Sequence, residues 1–395
     1  HKLKFMENFF RCKKCLFPNT KPSLHFDENG VCFACLYTDY HDQKIDWDKK
    51  KEKFFEICKE IKKNKQNDYD CIIPVSGGKD STYQTHLITK IGELKPLLVS
   101  FEPSYPTKIG DYNLNNLTEK FNCDLIQLRK SKQTYSRLAK IGLEIVGDHE
   151  WPNHVGIFTW PVQVADKLNI KYIFYGESTA LIGMGRWDYL VNQTLIDRNW
   201  VEEHSGMNGL RVTDILDFDP TLKKSDLIPY FYPDEKSLEK KNIVPYFTGS
   251  FFQWDHQKII KFISKEYGWK TADEPTEGDY ANWEDLDCGF MPMHQYFKFI
   301  KYGYARATDH ASYEIRHKRM DKVKAKELII GHEGKIPRTN FKEFLEFLDI
   351  DEEYFLKIRN KFTNPILFKK DNNHEFLMDD NGELIIEENW LRSFD

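Results

Sequence analysis

Residues Cys71–Ser81 read CIIPVSGGKDS. The first five residues are mostly apolar and predict a buried strand, and the next six form a glycine turn flanked by hydroxyl and charged side chains. A helical pattern follows, with Leu87, Ile88 and Ile91 on one face. In such a strand–loop–helix unit, paired glycines let backbone N–H groups approach an anion, and the helix N-terminus adds partial positive charge. The stretch therefore predicts a phosphate-binding loop.

The spacing of the glycines in this loop indicates which type of phosphate-binding loop it is. It lacks the G-x-x-x-x-G-K-[ST] spacing of a Walker A loop. The segment Ser76–Ser81, SGGKDS, resembles the PP-loop of ATP pyrophosphatases, which cleave ATP between the α and β phosphates and leave AMP on a substrate oxygen. A glycine-rich turn with chance polar neighbours is the alternative. Six matching positions between a predicted strand and a predicted helix favour the functional interpretation.

The chain around the loop alternates between apolar strands and amphipathic helices. Strands are predicted at Cys71–Val75, Leu97–Phe101, Leu125–Leu128 and Tyr172–Tyr175, with helices at Thr82–Ile91, Asp111–Phe121, Gln133–Gly142 and Val162–Leu168. This βαβ rhythm predicts an α/β fold with a parallel sheet covered on both faces, and ligands at the carboxyl edge. After about residue 250 the pattern is helical, at Gln257–Tyr267, Pro292–Tyr302, His310–Lys322 and Phe341–Leu348, with the acidic loop Thr271–Cys288 after the first.

Four cysteines precede the loop in two C-x2-C pairs, Cys12 with Cys15 and Cys32 with Cys35, separated by sixteen residues. This spacing is typical of structural zinc sites, in which two knuckle turns converge on one tetrahedral ion. Two disulfides or an iron–sulfur cluster are the alternatives. Because four thiolates leave no open coordination position, we expect a structural Zn²⁺ rather than a catalytic one.

The lysine-rich segment Ile45–Asn67 predicts one amphipathic helix, since Phe54, Phe55, Cys58 and Ile61 recur at helical spacing. It would bridge the knuckle to the sheet domain. The predicted domains are a zinc-binding knuckle (1–42), a helical linker (43–68), a PP-loop domain (69–250) and a mainly helical substrate or partner domain (251–395).

Composition restricts the class of partner. The chain has 395 residues and a net charge of −5, from 57 basic and 62 acidic side chains. This balance gives no overall footprint for nucleic acid, so nucleic-acid binding is not expected. No run approaches the ~18 apolar residues of a membrane span, and no secretion signal is evident at the start of the chain. We expect a cytoplasmic protein without membrane contact.

Several motifs together resemble the N-acetyl sugar amidotransferase family of bacterial surface-glycan biosynthesis. Its members include proteins linked to pseudaminic-acid-type sugars and to amidino sugars of lipopolysaccharide. The resemblance covers Cys12–Pro22, His25–Cys35, the PP-loop, Tyr175–Glu177, and Lys301–Ser312 with Ile315 and Arg316. It spans residues 12 to about 345, and the order of the motifs is more specific than any one of them.

The resemblance implies an adenine nucleotide alpha hydrolase-like fold and an ATP-dependent amidotransfer. The N-acetyl carbonyl oxygen would be adenylated with release of pyrophosphate. Ammonia would then attack the amide carbon, and AMP would depart to leave an acetamidino sugar. Mg²⁺ would accompany ATP.

The resemblance also implies roles for particular residues. The implied ATP site comprises Ser76, Gly77, Gly78, Lys79, Asp80, Ser81, Ser100, Phe101 and Gly176. Lys79 would neutralise phosphate charge, and Asp80 would order the loop or hold Mg²⁺. Glu177 would bind Mg²⁺ or position the nucleophile, with an ordinary loop acid as the alternative. These three are the candidate catalytic residues.

Arg306, Asp309 and Arg316 are the candidate sugar ligands. Arginine forks suit a carboxylate or a sugar-nucleotide phosphate. The alternative is a set of helix-surface ion pairs, with Asp309 capping a helix that begins near His310.

The sequence features allow three alternative functions. In the first, an amidotransferase takes ammonia from outside the chain, because the sequence shows no G-x-C-x-G nucleophile elbow. The family resemblance implies that a separate glutaminase and an ammonia-conducting partner supply it. The second is a tRNA-modifying, thiolation-type PP-loop enzyme, which would need a strongly basic surface. The third is a zinc-knuckle scaffold that binds ATP as a regulator.

Overall fold

A five-stranded parallel sheet lies at the centre of the computed structural model, which describes residues 8–64, 67–176, 195, 196, 198, 201, 202 and 206–395. Its strands are β1 (Cys71–Pro74), β2 (Pro96–Phe101), β3 (Leu125–Leu128), β4 (Tyr172–Tyr175) and β5 (Val244–Phe247). They lie in the order β3-β2-β1-β4-β5, and each adjacent pair is parallel. The loop after β1 therefore lies at the middle of the carboxyl edge.

Helices cover both faces of the sheet and form the C-terminal region. They are α1 (Phe33–Gln43), α2 (Trp47–Lys63), α3 (Lys79–His86), α4 (Lys108–Phe121), α5 (Lys132–Val146), α6 (Trp151–Leu168), α7 (Ile215–Phe218), α8 (Glu235–Lys240), α9 (His256–Tyr267), α10 (Met291–Tyr302), α11 (Arg306–Arg316), α12 (Lys322–His332), α13 (Phe341–Leu348), α14 (Glu352–Phe362) and α15 (Glu388–Arg392). The predicted α/β class, with a parallel sheet, an N-terminal four-cysteine knuckle and a helical C-terminal region, is confirmed. None of the helices in the described ranges combines the length and hydropathy that a bilayer crossing requires.

Two helices differ most from their predicted bounds. α6 begins at Trp151 rather than Val162 and continues through Pro161, although proline removes a helix hydrogen bond. The helix predicted at His310–Lys322 ends at Arg316, because Lys318 adopts a left-handed φ of 58°. A new helix, α12, then starts after Asp321, whose side chain accepts from the backbone N–H of Lys324.

Helix α2 packs into the sheet core rather than only bridging two units. Its buried face consists of Phe54, Ile57, Cys58 and Ile61. Phe55, which the sequence placed on this face, is 40% exposed. Residues beyond position 250 join the same core, including Phe251, Trp254, Ile259, Ile263 and Trp269. Packing thus crosses the boundary expected near residue 250, and the domain limits stay predictions.

The C-terminal helices enclose a second core. It contains Phe290, Phe297, Ile329, Phe355 and Trp390, all at most 2% exposed. Leu16 of the knuckle belongs to this core, and the Arg11 guanidinium donates to the carbonyls of Leu16 and Gly303 at 2.8 and 3.3 Å. The knuckle is therefore anchored to the helical region.

Candidate functional site

The four knuckle cysteines converge with buried side chains. The Sγ atoms of Cys12 and Cys35 lie 3.8 Å apart, those of Cys15 and Cys32 3.6 Å, and those of Cys32 and Cys35 3.7 Å. A tetrahedral ion with metal–sulfur bonds of about 2.3 Å places its ligands roughly 3.8 Å apart. A disulfide would need about 2 Å. A [4Fe–4S] cluster places each thiolate on a different iron and separates the four thiolates further. The separations fit one tetrahedral ion.

The loop after β1 has a backbone that glycine makes possible. Gly77 has a φ of 84°, and a Cβ there would lie 2.7 Å from the backbone nitrogen of Leu114. The carbonyl of Gly77 accepts from the indole N–H of Trp269 at 2.9 Å. Gly78 caps α3, and its carbonyl accepts from the Ser81 hydroxyl at 3.1 Å. The first-turn N–H groups of α3 therefore begin at the loop, as an anion site requires.

A cavity of about 100 Å³ opens beside this loop. The loop residues 76–81 form one side, together with Gly110 and Asn113 of α4. The other side is the segment Trp283–Asp287, hereafter the acidic segment. It fits closely, because a Cβ at Gly110 would lie 2.6 Å from the Cα of Asp287. The cavity thus joins the sheet to a segment far away in sequence.

Lys79 is held between two carboxylates at the cavity. Its Nζ lies 2.6 Å from Oδ2 of Asp80 and 2.7 Å from Oε2 of Glu284, and the Lys79 side chain is 4% exposed. The other oxygen of Asp80 accepts from the Trp254 indole at 2.8 Å. Burial alone would raise the pKa of Glu284, but Lys79 and His310 hold it well below its usual value. The lysine expected to meet phosphate is neutralised by protein acids in this state.

The start of α11 supports the acidic segment from behind. His310 Nδ1 lies 2.9 Å from Asp279 Oδ2, and its Nε2 lies 3.6 Å from Glu284 Oε2. Burial opposes the charge of His310, but these carboxylates raise its pKa to about 9. Arg306 reaches both oxygens of Asp285 at 3.1 and 3.3 Å. Two cations thus hold two acids of the segment in place.

Asp287 differs from the other acids at the cavity. Burial, Asp285 and, more weakly, Glu150 and Glu284 raise its pKa to about 7. A cation at the cavity would favour its ionised form. The acidic loop 271–288 is evident in the sequence, but its role is not. The cluster of acids in the sequence could have indicated a functional role. The sequence does not show that this segment folds over the PP-loop.

A protein-family match includes the acidic segment that forms the second side of the cavity. Residues 277–379 match the family model described as "LPS biosynthesis protein WbpG-like, C-terminal domain". The chain carries a WbpG-like C-terminal domain. The matched range contains the acidic segment and Arg306, so this domain supplies one side of the PP-loop cavity. The match confirms the family resemblance drawn from the sequence.

A curated relative matches part of the chain. An uncharacterised protein of Methanocaldococcus jannaschii, MJ1599, is 29% identical over 121 residues, which are 30% of this chain and 43% of that protein. Less than half of that relative is therefore spanned.

Solved structures that resemble this chain include two that share little sequence with it. The NH3-dependent NAD synthetase from Campylobacter jejuni has 15% identity and a TM-score of 0.29, covering 50% of this chain and 95% of that one. The U34-tRNA thiolase NcsA from Methanococcus maripaludis has 10% identity and a TM-score of 0.30, covering 82% and 89%. Neither score supports an inference, so the fold description rests on the sheet of this chain.

The remaining predicted nucleotide residues lie at neighbouring strand ends. Ser100 and Phe101 end β2, but both are buried and neither lines the cavity. The Phe101 ring packs against Gly156 of α6. Gly176 follows β4 close to the loop, since a Cβ there would lie 3.7 Å from the Cβ of Asp80. Glu177 lies outside the described residues.

The three predicted sugar ligands are not brought together. Within the WbpG-like domain, Arg306 alone of the three reaches the acidic segment. Asp309 pairs with Lys298 and, at 3.1 Å, with Lys21. The guanidinium of Arg316 lies 4.9 Å from the centre of the Phe17 ring, and the knuckle thiols raise its pKa against the effect of burial.

Asp309 does not act as the predicted cap. α11 begins at Arg306, and the buried Glu333 accepts from the backbone N–H groups of Ala305 and Thr308 at 2.8 and 2.6 Å. Glu333 therefore caps the helix from outside its own sequence, which local pattern could not indicate.

Proposed function

We propose that the protein is an ATP-dependent, AMP-forming amidotransferase that acts on the N-acetyl group of a bacterial surface-glycan sugar. One observation carries the proposal: the Lys79 of a PP-loop is ion-paired, at 2.7 Å, with Glu284 of a WbpG-like domain. A PP-loop and a region similar to the C-terminal domain of lipopolysaccharide biosynthesis proteins thus share one cavity. This supports nucleotide chemistry directed at a glycan precursor.

The proposed reaction has two balanced steps. The amide oxygen of the acetamido group attacks the α-phosphorus, and the bond to the β,γ-pyrophosphate breaks. Ammonia then adds to the activated carbon, a proton is lost, and the C–O bond breaks to release AMP. The products are an acetamidine, AMP and pyrophosphate. Since such transfers rely on positioning and charge stabilisation, the site needs fixed donors more than a nucleophile.

In the proposed site, the N–H groups of Gly77 and Gly78 and the hydroxyls of Ser76 and Ser81 hold the β and γ phosphates. The cavity of about 100 Å³ is smaller than the roughly 300–1,000 Å³ of typical ligand pockets. We therefore expect the acidic segment to shift when ATP binds. Lys79 then exchanges Glu284 for phosphate oxygen.

The oxygen donors of the cavity suit Mg²⁺, which binds through one or two carboxylates together with phosphates. Glu284, Asp285 and Asp287 line the cavity with Asp80, and bound Mg²⁺ would offset phosphate charge next to these acids. At the knuckle, four converging thiolates suit Zn²⁺ in a structural role. Arg306 remains the proposed ligand for an anionic sugar. Asp309 and Arg316 are proposed as structural residues.

Ammonia is proposed to come from a separate glutaminase through an ammonia-conducting partner. The described cysteines offer little support for an internal nucleophile. Cys288, beside the cavity, is 2% exposed, and burial raises its pKa well above the usual value for a thiol. The cytoplasm, where ATP is available, is the proposed compartment.

The deciding experiment follows an isotope label. Purified protein is given ATP, Mg²⁺, ammonium chloride and free, CMP-linked or UDP-linked acetamido sugars whose acetyl oxygen carries a heavy isotope. We expect pyrophosphate, an acetamidino sugar, and AMP that contains the labelled oxygen. An Asp80→Asn variant is the matched inactive control. Label in AMP distinguishes amide activation from simple ATP hydrolysis.

The same assay includes tRNA in place of sugar. Pyrophosphate release stimulated by tRNA and by no acetamido sugar would replace this function with the thiolation-type alternative. ATP binding without pyrophosphate release under any condition would favour the regulatory scaffold.

A further inference from the structure

A second group of metal-binding side chains lies away from the knuckle and outside the loop cavity. Asp148, in the turn between α5 and α6, lies between two imidazoles. Its Oδ1 is 2.8 Å from Nδ1 of His294, and its Oδ2 is 3.4 Å from Nδ1 of His154. The Asp148 side chain is 3% exposed, whereas the two histidines are 18% and 22% exposed. The group is thus preorganised on its buried side and reachable from solvent.

The donor set is that of a transition-metal site. One donor atom from each residue lies within 4.8 Å of the other two. Two imidazoles with one carboxylate bind zinc or iron at sites that keep an open position for water or substrate. Hard cations such as Mg²⁺ prefer oxygen donors, so this group differs in chemistry from the acids of the loop cavity.

One donor atom is only loosely held. Nδ1 of His154 is buried 3.4 Å from Oδ2 of Asp148, within ion-pair distance but without hydrogen-bond geometry. Buried polar atoms are normally fully satisfied, so this atom can accept a closer partner. The space beside this atom depends on glycine, because a Cβ at Gly206 would lie 2.8 Å from Nδ1. A metal ion between Asp148 and His154 would satisfy the atom.

The surrounding backbone fixes the carboxylate. Asp148 follows Gly147, which has a φ of 65°, and its Oδ1 also accepts from the backbone N–H of Glu150 at 3.0 Å. Ligands oriented by outer hydrogen bonds bind metals more tightly. The rings of His154 and His294 lie edge to face with their centres 5.1 Å apart.

The group lies on the functional edge of the sheet. α6 begins next to it, and the hydroxyl of Ser104, which follows β2, donates to Glu150 at 2.9 Å. The carboxyl edge of the sheet thus carries the PP-loop and this group side by side. Ligands of parallel α/β sheets bind at that edge.

We propose that Asp148, His154 and His294 bind a divalent transition-metal ion of the zinc class, with a coordination position open to solvent. This ion is additional to the one held by the knuckle. A hydrogen-bonded His–Asp–His group without metal is the competing interpretation.

Cobalt spectroscopy separates the two kinds of site. The full-length protein is stripped of metal under reducing conditions and titrated with Co²⁺, and bound metal is counted by elemental analysis. Cobalt at the knuckle produces thiolate-to-metal charge-transfer absorption, whereas cobalt on imidazole and carboxylate does not. We expect two equivalents, of which one adds no charge-transfer band. No nucleotide or sugar is present, so the result is independent of the proposed function.

Variants assign the second equivalent. Asp148→Asn and His294→Gln keep side-chain size and hydrogen bonding and should each reduce the count from two to one with the thiolate band unchanged. His374→Gln, at an exposed histidine, should retain two. Circular dichroism and metal-free thermal unfolding show whether a variant folds, and the partly exposed His294 is the safer position. One equivalent in the parent protein, or two in both folded variants, would establish a hydrogen-bonded group only.

Discussion

The knuckle and the loop cavity are both small polar sites, but they differ in how far their side chains are already arranged to bind a ligand. The knuckle thiols already stand 3.6–3.8 Å apart, the separations that one ion needs. The cavity is closed by internal ion pairs of Lys79 with Asp80 and Glu284. One site can bind an ion without rearrangement, whereas the other must exchange protein contacts for ligand contacts. Structural sites can be complete in advance, while a site with turnover has to open.

The difference follows from where the residues come from. Cys12 and Cys35 are 23 positions apart, and backbone N–H groups of Lys14 and Cys32 already point at the Cys12 sulfur. Lys79 and Glu284 are 205 positions apart. The knuckle is a local structure, and the cavity exists only when two distant parts of the chain pack together.

Loss of a knuckle ligand should give the largest effect. Structural zinc contributes about 10–16 kcal/mol of apparent binding energy in zinc-finger peptides. We expect Cys15→Ser to lose the metal and to lower the free energy of unfolding by at least about 3 kcal/mol, because the knuckle also anchors Leu16 in the C-terminal core. Elemental analysis and thermal unfolding measure both quantities. Cys123→Ser, at a thiol outside the knuckle, is the control. Full metal content and unchanged stability in Cys15→Ser would show that the site is not structural.

Removal of the central cation of the cavity should come second. Lys79→Met leaves the carboxylates of Asp80 and Glu284 without their shared partner, and breaking a buried pair costs about 3–5 kcal/mol. The double variant Lys79→Met/Glu284→Gln should recover most of this stability, as chemical denaturation would show. Pyrophosphate release should be lost in both. Equal stability of the two variants would mean that the pair does not hold the acidic segment.

Two arginines of α11 test whether the regions act separately. Arg306 contacts the acidic segment, and Arg316 lies against the knuckle. We expect Arg306→Ala to raise the KM for the sugar roughly tenfold or more, the loss of a charge-assisted hydrogen bond, with less change in the KM for ATP. Arg316→Ala should lower thermal stability and leave both KM values unchanged. A matching rise in sugar KM for Arg316→Ala would return that residue to the substrate site.

The local parts of the fold are predictable from sequence. β3 and β4 match their predicted bounds, and the PP-loop lies where the turn chemistry puts it. β5 was missed because Pro245 and half-exposed residues weaken its pattern, which an edge strand tolerates. The C-x2-C spacing of the four cysteines is enough to predict that they converge.

The long-range parts are not predictable in the same way. Nothing near Glu284 indicates that it meets Lys79, and nothing near Asp148 indicates that it meets His294, 146 positions later. Arg306, Asp309 and Arg316 look like one set because they share a helix. They lie against different neighbours because they point from different faces of the helix. Arg306 faces the acidic segment, Asp309 faces Lys21, and Arg316 faces the knuckle cysteines. Periodicity describes a face but not what packs against it.

The last expected effect concerns the pH dependence of the cavity. The pKa of Asp287 is raised to about 7, above the roughly 3.9 of an unfolded aspartate. Between these values the folded state binds more protons than the unfolded state, so this group makes stability fall as pH rises from about 4 to 7. Asp287→Asn should remove that contribution and gain stability relative to the parent at pH 8 but not at pH 4. Thermal unfolding at both values measures the difference.

Binding of Mg²⁺ with ATP gives a second test of Asp287, which the knuckle should not affect. If the cavity acids meet a cation with the nucleotide, ATP with Mg²⁺ should stabilise the parent more at pH 8 than at pH 5, because ionised Asp287 gains a partner that the protonated form cannot use. Asp287→Asn should lose this pH dependence, whereas Asp273→Asn, at an acid outside the cavity lining, should keep it. The knuckle zinc content should not change in any of these variants. A nucleotide effect that is independent of pH in the parent would mean that Asp287 remains protonated when the site is filled, and that its carboxyl group is a hydrogen-bond donor rather than a cation ligand.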